Sequence, residues 1–125
     1  MNLQAPAIVL IENDEVTLDL YQRELSKSFT VFGFTETNDV LAIITNQDIR
    51  AVVIEPEIQA GKGWDLIHTI RRSFPERFIP IVVCSTREPG RSRMAPDVTK
   101  YLTKPVLPKT LRENIIEILK KKVEL

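Results

Sequence analysis

The sequence predicts an α/β fold of five strand-helix units, a parallel sheet with helices on both faces. Three observations predict it. Short runs rich in Val and Ile, at 7–11 (AIVLI), 51–54 (AVVI) and 80–84 (PIVVC), are continuous rather than alternating, as in strands covered on both sides. Helical patterns stand between these runs, and strands that alternate with helices build a parallel sheet with right-handed crossovers. Polar residues follow the strands, where ligand sites of such sheets lie.

Taken in order, strand one is 7–11 and ends in Glu12-Asn13-Asp14. Asp14 is placed to cap a first helix carrying Val16, Leu20, Tyr21 and Leu25. Residues 30–34 (TVFGF) are a weaker strand signal, and 38–45 a short second helix. The third strand, 51–54, ends in Glu55-Pro56-Glu57. Trp64, Ile67, Ile70 and Phe74 recur at helical steps, and Pro75 ends that helix. The fourth strand, 80–84, leads to Ser85-Thr86. The fifth, weaker again, is 98–102 (VTKYL), followed by Thr103-Lys104-Pro105. Pro108 starts the last helix, where its missing N–H costs little, and Leu111, Ile115, Ile118 and Leu119 form its apolar stripe. The Lys120-Lys121-Lys122 run complements the helix dipole at its end.

At 125 residues the chain is expected to be one domain, 1–125, with a core at about 7–120. Such a domain buries roughly 65% of its unfolded surface, enough for a core without staples. Hydrophobic residues at 43% and charged residues at 27% are an ordinary globular balance, which argues against disorder. Seventeen basic residues offset seventeen acidic ones, so net charge gives no drive towards nucleic acid or an anionic membrane. One cysteine makes no internal disulfide, so a reducing, cytoplasmic compartment is expected. One His and one Cys exclude a His/Cys zinc site. No apolar run reaches the roughly 18 residues of a membrane span. Cys84 reads as a small core residue and His68 as a surface histidine.

The polar residues after strands one, three, four and five make the chain resemble a response-regulator receiver domain, over about residues 7–120. Tyr101-Leu102-Thr103-Lys104-Pro105 matches that family's strand-five motif, Ser85 its strand-four hydroxyl, and Gly63-Trp64-Asp65-Leu66-Ile67 the start of its third helix. The resemblance implies a flavodoxin-like sheet of order 2-1-3-4-5. It further implies an acidic pair binding Mg²⁺ after strand one, a phosphoacceptor Asp after strand three, an aromatic switch at Tyr101, and a cis Lys104–Pro105 peptide.

Two positions depart from that pattern. Eight residues before Gly63, at the phosphoacceptor position, stands Glu55, and the acidic pair is Glu12-Asn13 unless a one-residue shift brings in Asp14. Asn13 offers a neutral oxygen where Mg²⁺ favours an anionic one. Glu is longer than Asp by one C–C bond, about 1.5 Å. A misplacement of about 1 Å costs on the order of 100-fold in rate. Pro56 also removes a backbone donor beside the acceptor.

The expectation is therefore an atypical receiver, or pseudo-receiver, of a two-component-type signalling system. It acts by protein contacts without phosphorylation, is not an enzyme, and needs no cofactor, with Mg²⁺ weak at most. Glu55 either mimics a phosphoryl group by reaching Lys104 and Ser85, or only pairs with Lys104. Protein partners are expected at the strand five/helix five face, with no direct nucleic acid and no membrane. Two alternatives stay open: a residual receiver that uses Glu12, Asp14 or Glu57 to bind Mg²⁺ or accept a phosphoryl group, and a small-ligand-binding regulatory domain. Between strands four and five, residues 86–97 (TREPGRSRMAPD) hold two prolines and a glycine without an apolar stripe. The fourth helix of the family is thus expected to be short or missing. Arg87, Arg91 and Arg93 make this stretch basic, a solvated run or an anion contact.

Overall fold

A computed structural model describes residues 5–87 and 97–124. The described elements are five strands, β1 (Ala7–Ile11), β2 (Thr30–Phe34), β3 (Ile49–Ile54), β4 (Ile81–Ser85) and β5 (Lys100–Thr103), and the helices α1 (Glu15–Leu25), α2 (Val40–Asn46), α3 (Ile58–Ser73) and α4 (Pro108–Glu124), in the order β1-α1-β2-α2-β3-α3-β4-β5-α4. The strands form one parallel sheet of order β2-β1-β3-β4-β5. This is the predicted flavodoxin-like arrangement, with β1, β3 and β4 central.

Side chains alternate across these strands and divide the core into two layers. Val9, Ile11, Val52, Ile54, Ile81 and Val83 pack on one face under α2 and α3, against Ile44, Trp64, Ile67 and Ile70. Ile8, Leu10, Val53, Val82 and Cys84 face the other way, under α1 and α4, against Leu25, Leu111 and Ile115. Most of these aliphatic side chains are fully buried. Each buried Ile, Leu or Val stabilises the fold by about 1.5–3 kcal/mol of transfer free energy. Continuous apolar runs thus arise because each central strand must satisfy two cores. The two weaker strand signals, β2 and β5, are the edges, where burial is incomplete.

Three expectations need correction. Val16 and Leu20 of α1 are exposed, at 69% and 52%, while Tyr21 and Leu25 are buried and Leu18 is partly so. A helix lying on one side of a sheet buries a stripe near 100° wide, too narrow for all five. Second, β3 starts at Ile49, two residues earlier than the apolar run, because Arg50 is tolerated half-buried near the strand's start. Third, two of the weaker segments start two residues later than expected, α2 at Val40 rather than 38 and β5 at Lys100 rather than 98. The regular part of α3 begins near Gly63 as expected, after a left-handed turn at Gln59, Ala60 and Gly61 with φ of 50°, 59° and 94°. Gly63 is then required, since a Cβ there would come within 2.5 Å of the Pro56 Cα. The fourth-helix expectation, with Arg91 and Arg93, falls on residues 88–96, outside the described residues.

Candidate functional site: a polar crevice closed on itself

Parallel strands bring the carboxyl ends of β1, β3, β4 and β5 to one edge. Register aligns Ile11 with Ile54 and Ser85 with Thr103, so the residues that follow these strands become neighbours. Backbone bonds hold them there: Glu55 N donates to Ile11 O at 3.0 Å, Glu12 N to Phe34 O at 2.9 Å, and Lys104 N to Ser85 O at 2.7 Å.

Lys104 is the centre of the charge arrangement. Its Nζ lies 2.5 Å from Glu12 Oε1 and 3.7 Å from Glu55 Oε1. Glu12 and Glu55 are buried, at 3% and 8% exposure. Burial alone would lower the Lys104 pKa. The hydrogen bond and charge of Glu12, then the charge of Glu55, outweigh it and raise the pKa above its ordinary value. The second oxygen of each carboxylate turns to backbone. Glu12 Oε2 accepts from Asp14 N at 3.0 Å, and Glu55 Oε2 from Glu57 N at 3.1 Å.

The expected reach of Glu55 to Lys104 and Ser85 is met only in part. Lys104 goes first to Glu12, and Glu55 is the second, longer contact. Among the described residues no hydrogen bond joins Glu55 to Ser85. The Ser85 hydroxyl, fully buried, accepts from Arg87 N at 3.2 Å, while Glu55 is held back by Glu57 N.

Glu57 is bound from two sides, by Trp64 Nε1 at 3.0 Å and Arg87 Nη1 at 3.5 Å. The buried indole needs an acceptor, and Glu57 provides it. Asp14 faces outward: it caps α1, accepting from Thr17 N at 3.1 Å and from the Thr17 hydroxyl. Those two bonds hold the Asp14 carboxyl below its ordinary pKa. Asn13 is exposed. Tyr101 is half-buried on edge strand β5, packs against the α2/α3-side core, and donates to Arg87 O at 2.8 Å. The Lys104–Pro105 peptide is cis.

Of the residues named from sequence, Glu12, Glu55 and Lys104 meet in the crevice, with Ser85 and Glu57 beside them, whereas the Asn13 and Asp14 side chains are exposed. Sequence reasoning did not foresee that Arg87 and Trp64 share Glu57, nor that Tyr21 joins the layer beneath. The Tyr21 hydroxyl donates to Val106 O at 3.0 Å and lies 3.7 Å from Cys84 Sγ. Burial raises the pKa of both Tyr21 and Cys84, so neither is an activated nucleophile.

The donor set does not fit a Mg²⁺ ion as it stands. Glu12 is taken by Lys104, Glu57 by Trp64 and Arg87, and Asp14 points to its own helix. Among the described residues no three His, Cys, Asp or Glu side chains are grouped to hold a metal.

No family model matches the sequence, and no curated protein matches it. Solved structures do resemble the fold. A CheY-like receiver domain protein from Methanospirillum hungatei JF-1 superposes with a TM-score of 0.85 at 18% identity, covering 97% of this chain and 98% of that one. A two-component response regulator from Clostridium difficile gives 0.81 at 20% identity, covering 94% and 98%. A receiver domain protein from Clostridium thermocellum gives 0.80 at 19%, covering 96% and 99%. At these identities the likeness is one of fold, and it spans the whole length of those domains: the chain has the receiver-domain fold of two-component response regulators.

Proposed function

We propose that this chain is a pseudo-receiver, a protein-interaction module of two-component-type signalling that works without phosphorylation. The observation that carries the reading is the bond between Lys104 Nζ and Glu12 Oε1, at 2.5 Å, with Glu55 standing second at 3.7 Å. In a phosphorylation cycle a lysine beside the acceptor would neutralise the incoming phosphoryl group, and an acidic cluster would hold Mg²⁺. Here Lys104 is already committed to Glu12 and Glu55, and Arg87 to Glu57. Glu55 acts as a structural anion rather than a phosphoryl mimic, a reading supported by the Arg87 bond at Ser85. Metal affinity is weak at most, no catalysis takes place, and the work is cytoplasmic. Signalling proteins dock on the β5 and α4 face, without direct contact to nucleic acid or membrane. That no helix of the described residues is long and apolar enough to cross a membrane is compatible with this.

The test is the intact mass of the protein after incubation with acetyl phosphate and Mg²⁺, beside the Asn13→Asp/Glu55→Asp double variant. The expected result is no phosphoryl adduct on the wild type and an adduct on the variant. A Mg²⁺-dependent adduct on the wild type would instead favour a residual receiver and sink the proposal.

A further inference from the structure

The opposite end of the sheet holds a feature that the crevice reading does not use. A cavity of about 920 Å³ opens where the chain enters β4 and β5. Its apolar walls are Phe74, Phe78, Ile79, Ile118 and the two prolines at 75 and 80. That volume lies at the upper end of the range that takes small organic ligands, about 300–1,000 Å³.

The walls are held in place. Arg71 donates through Nη1 to Ile79 O at 2.5 Å and through Nη2 and Nε to Asp97 O at 2.7 and 3.0 Å, tying the approaches to both strands. The Arg77 guanidinium sits 5.3 Å from the centre of the Phe74 ring, and its Nη1 donates to Ile44 O at 2.5 Å. A preformed wall lowers the ordering cost of binding.

The charge on this wall is positive. Arg71, Lys100 and Lys121 line the cavity, and among the described residues Glu117 is the one lining carboxylate. Glu117 pairs with Lys121 at 3.4 Å, and Arg71 spends its donors on carbonyls. Lys100 has no ion-pair partner among the described residues. It shares with Leu102 the face of β5 that α4 covers, which directs it towards Asn114 and Ile118.

We propose that this cavity binds a small organic anion: a carboxylate on an apolar body the size of one or two rings. The body lies between Phe74, Phe78 and Ile118, and the carboxylate meets Lys100. This site is independent of phosphorylation chemistry, since it lies at the amino ends of β4 and β5 and the crevice at their carboxyl ends.

The probe is 2-naphthoate, titrated against the full chain by NMR, with 2-naphthamide as its uncharged counterpart. The expected result is a Kd on the order of 1 mM or tighter. Shifts should centre on the Ile79 and Ile118 methyls, and the amide should bind about three- to fivefold more weakly. Lys100→Glu should weaken the carboxylate by about tenfold while leaving the amide unchanged. Ile118→Trp, which fills the cavity from a partly buried site, should abolish both. Each variant is first shown to keep the wild-type amide spectrum; a variant that does not is replaced by Lys100→Gln or Ile118→Phe. Absence of shifts at 5 mM probe, equal affinity for acid and amide, or shifts centred elsewhere, such as near Phe29 and Leu119, would each overturn the proposal.

Discussion

The two ends of the β-sheet contrast in how their polar groups are satisfied. At the carboxyl ends of the strands, Glu12, Glu55, Glu57, Lys104 and Arg87 are all engaged with one another or with backbone. At the amino ends of β4 and β5, an apolar cavity stands open beside Lys100, whose charge has no such partner among the described residues. The end at which α/β sheets usually hold ligands here has its charged groups already paired, while the other end has room and an unspent charge. In a buried charge cluster of this kind, removal of one member leaves its partner's charge uncompensated, so the fold depends on each member while the others remain.

The sharpest way to break the contrast is to remove Lys104. Lys104→Met leaves two buried carboxylates without their cation, and a loss of about 3–5 kcal/mol is expected in urea unfolding. The same variant tests the pH dependence. The Lys104 pKa is raised in the folded state, so its contribution is complete below the unfolded value of about 10.4 and declines as pH rises through the folded value. Wild-type stability should therefore fall on that alkaline limb, and Lys104→Met should flatten this part of the fall. A polar end that merely decorates the fold would show neither effect.

Next in size is the ranking of the two glutamates. Glu12→Gln should cost about 3 kcal/mol, because it removes the short contact. Glu55→Gln should cost about 1 kcal/mol, as befits the longer one. Equal losses would mean that Lys104 is shared evenly, and the reading of Glu55 as a secondary partner would fall.

Asp14→Ala should destabilise less than either. Asp14 has a depressed pKa through its bonds from Thr17, so its contribution is present above the ordinary carboxylate value and is lost as pH falls through the folded one. Comparing urea midpoints at neutral and acidic pH reads this out: the gap between wild type and variant should close in acid. The smallest effect concerns Cys84. Its thiol is buried and its pKa raised by burial, so alkylation by iodoacetamide at pH 8 should follow global unfolding rather than proceed from the native state. Fast native-state labelling would show that the layer beneath the crevice opens.

Much of the fold was legible because its signals are local. The middle of a central strand is covered on both faces and is apolar, as 7–11, 51–54 and 80–84 are. The same logic ranked 30–34 and 98–102 as weaker, and the edge strands are β2 at Thr30–Phe34 and β5 at Lys100–Thr103. Asp14 as a cap and Pro108 at the first turn of α4 are also local facts. Val16 and Leu20 misled, because apolar character sets what a helix can bury, whereas the width of its contact with the sheet sets what it does bury.

The sequence by itself thus determined the order of elements, the two-sided core and the polar residues that end at one crevice. Only the tertiary structure decided how those residues pair. Lys104 meets Glu12 across 92 positions of chain, at a separation set by the register of four strands and the rotamers of two long side chains. It likewise decided that Arg87 and Trp64 share Glu57, and that Arg71 braces a cavity between segments distant in sequence. Burial follows from local periodicity, whereas pairing depends on distances of an ångström or two that no periodicity encodes.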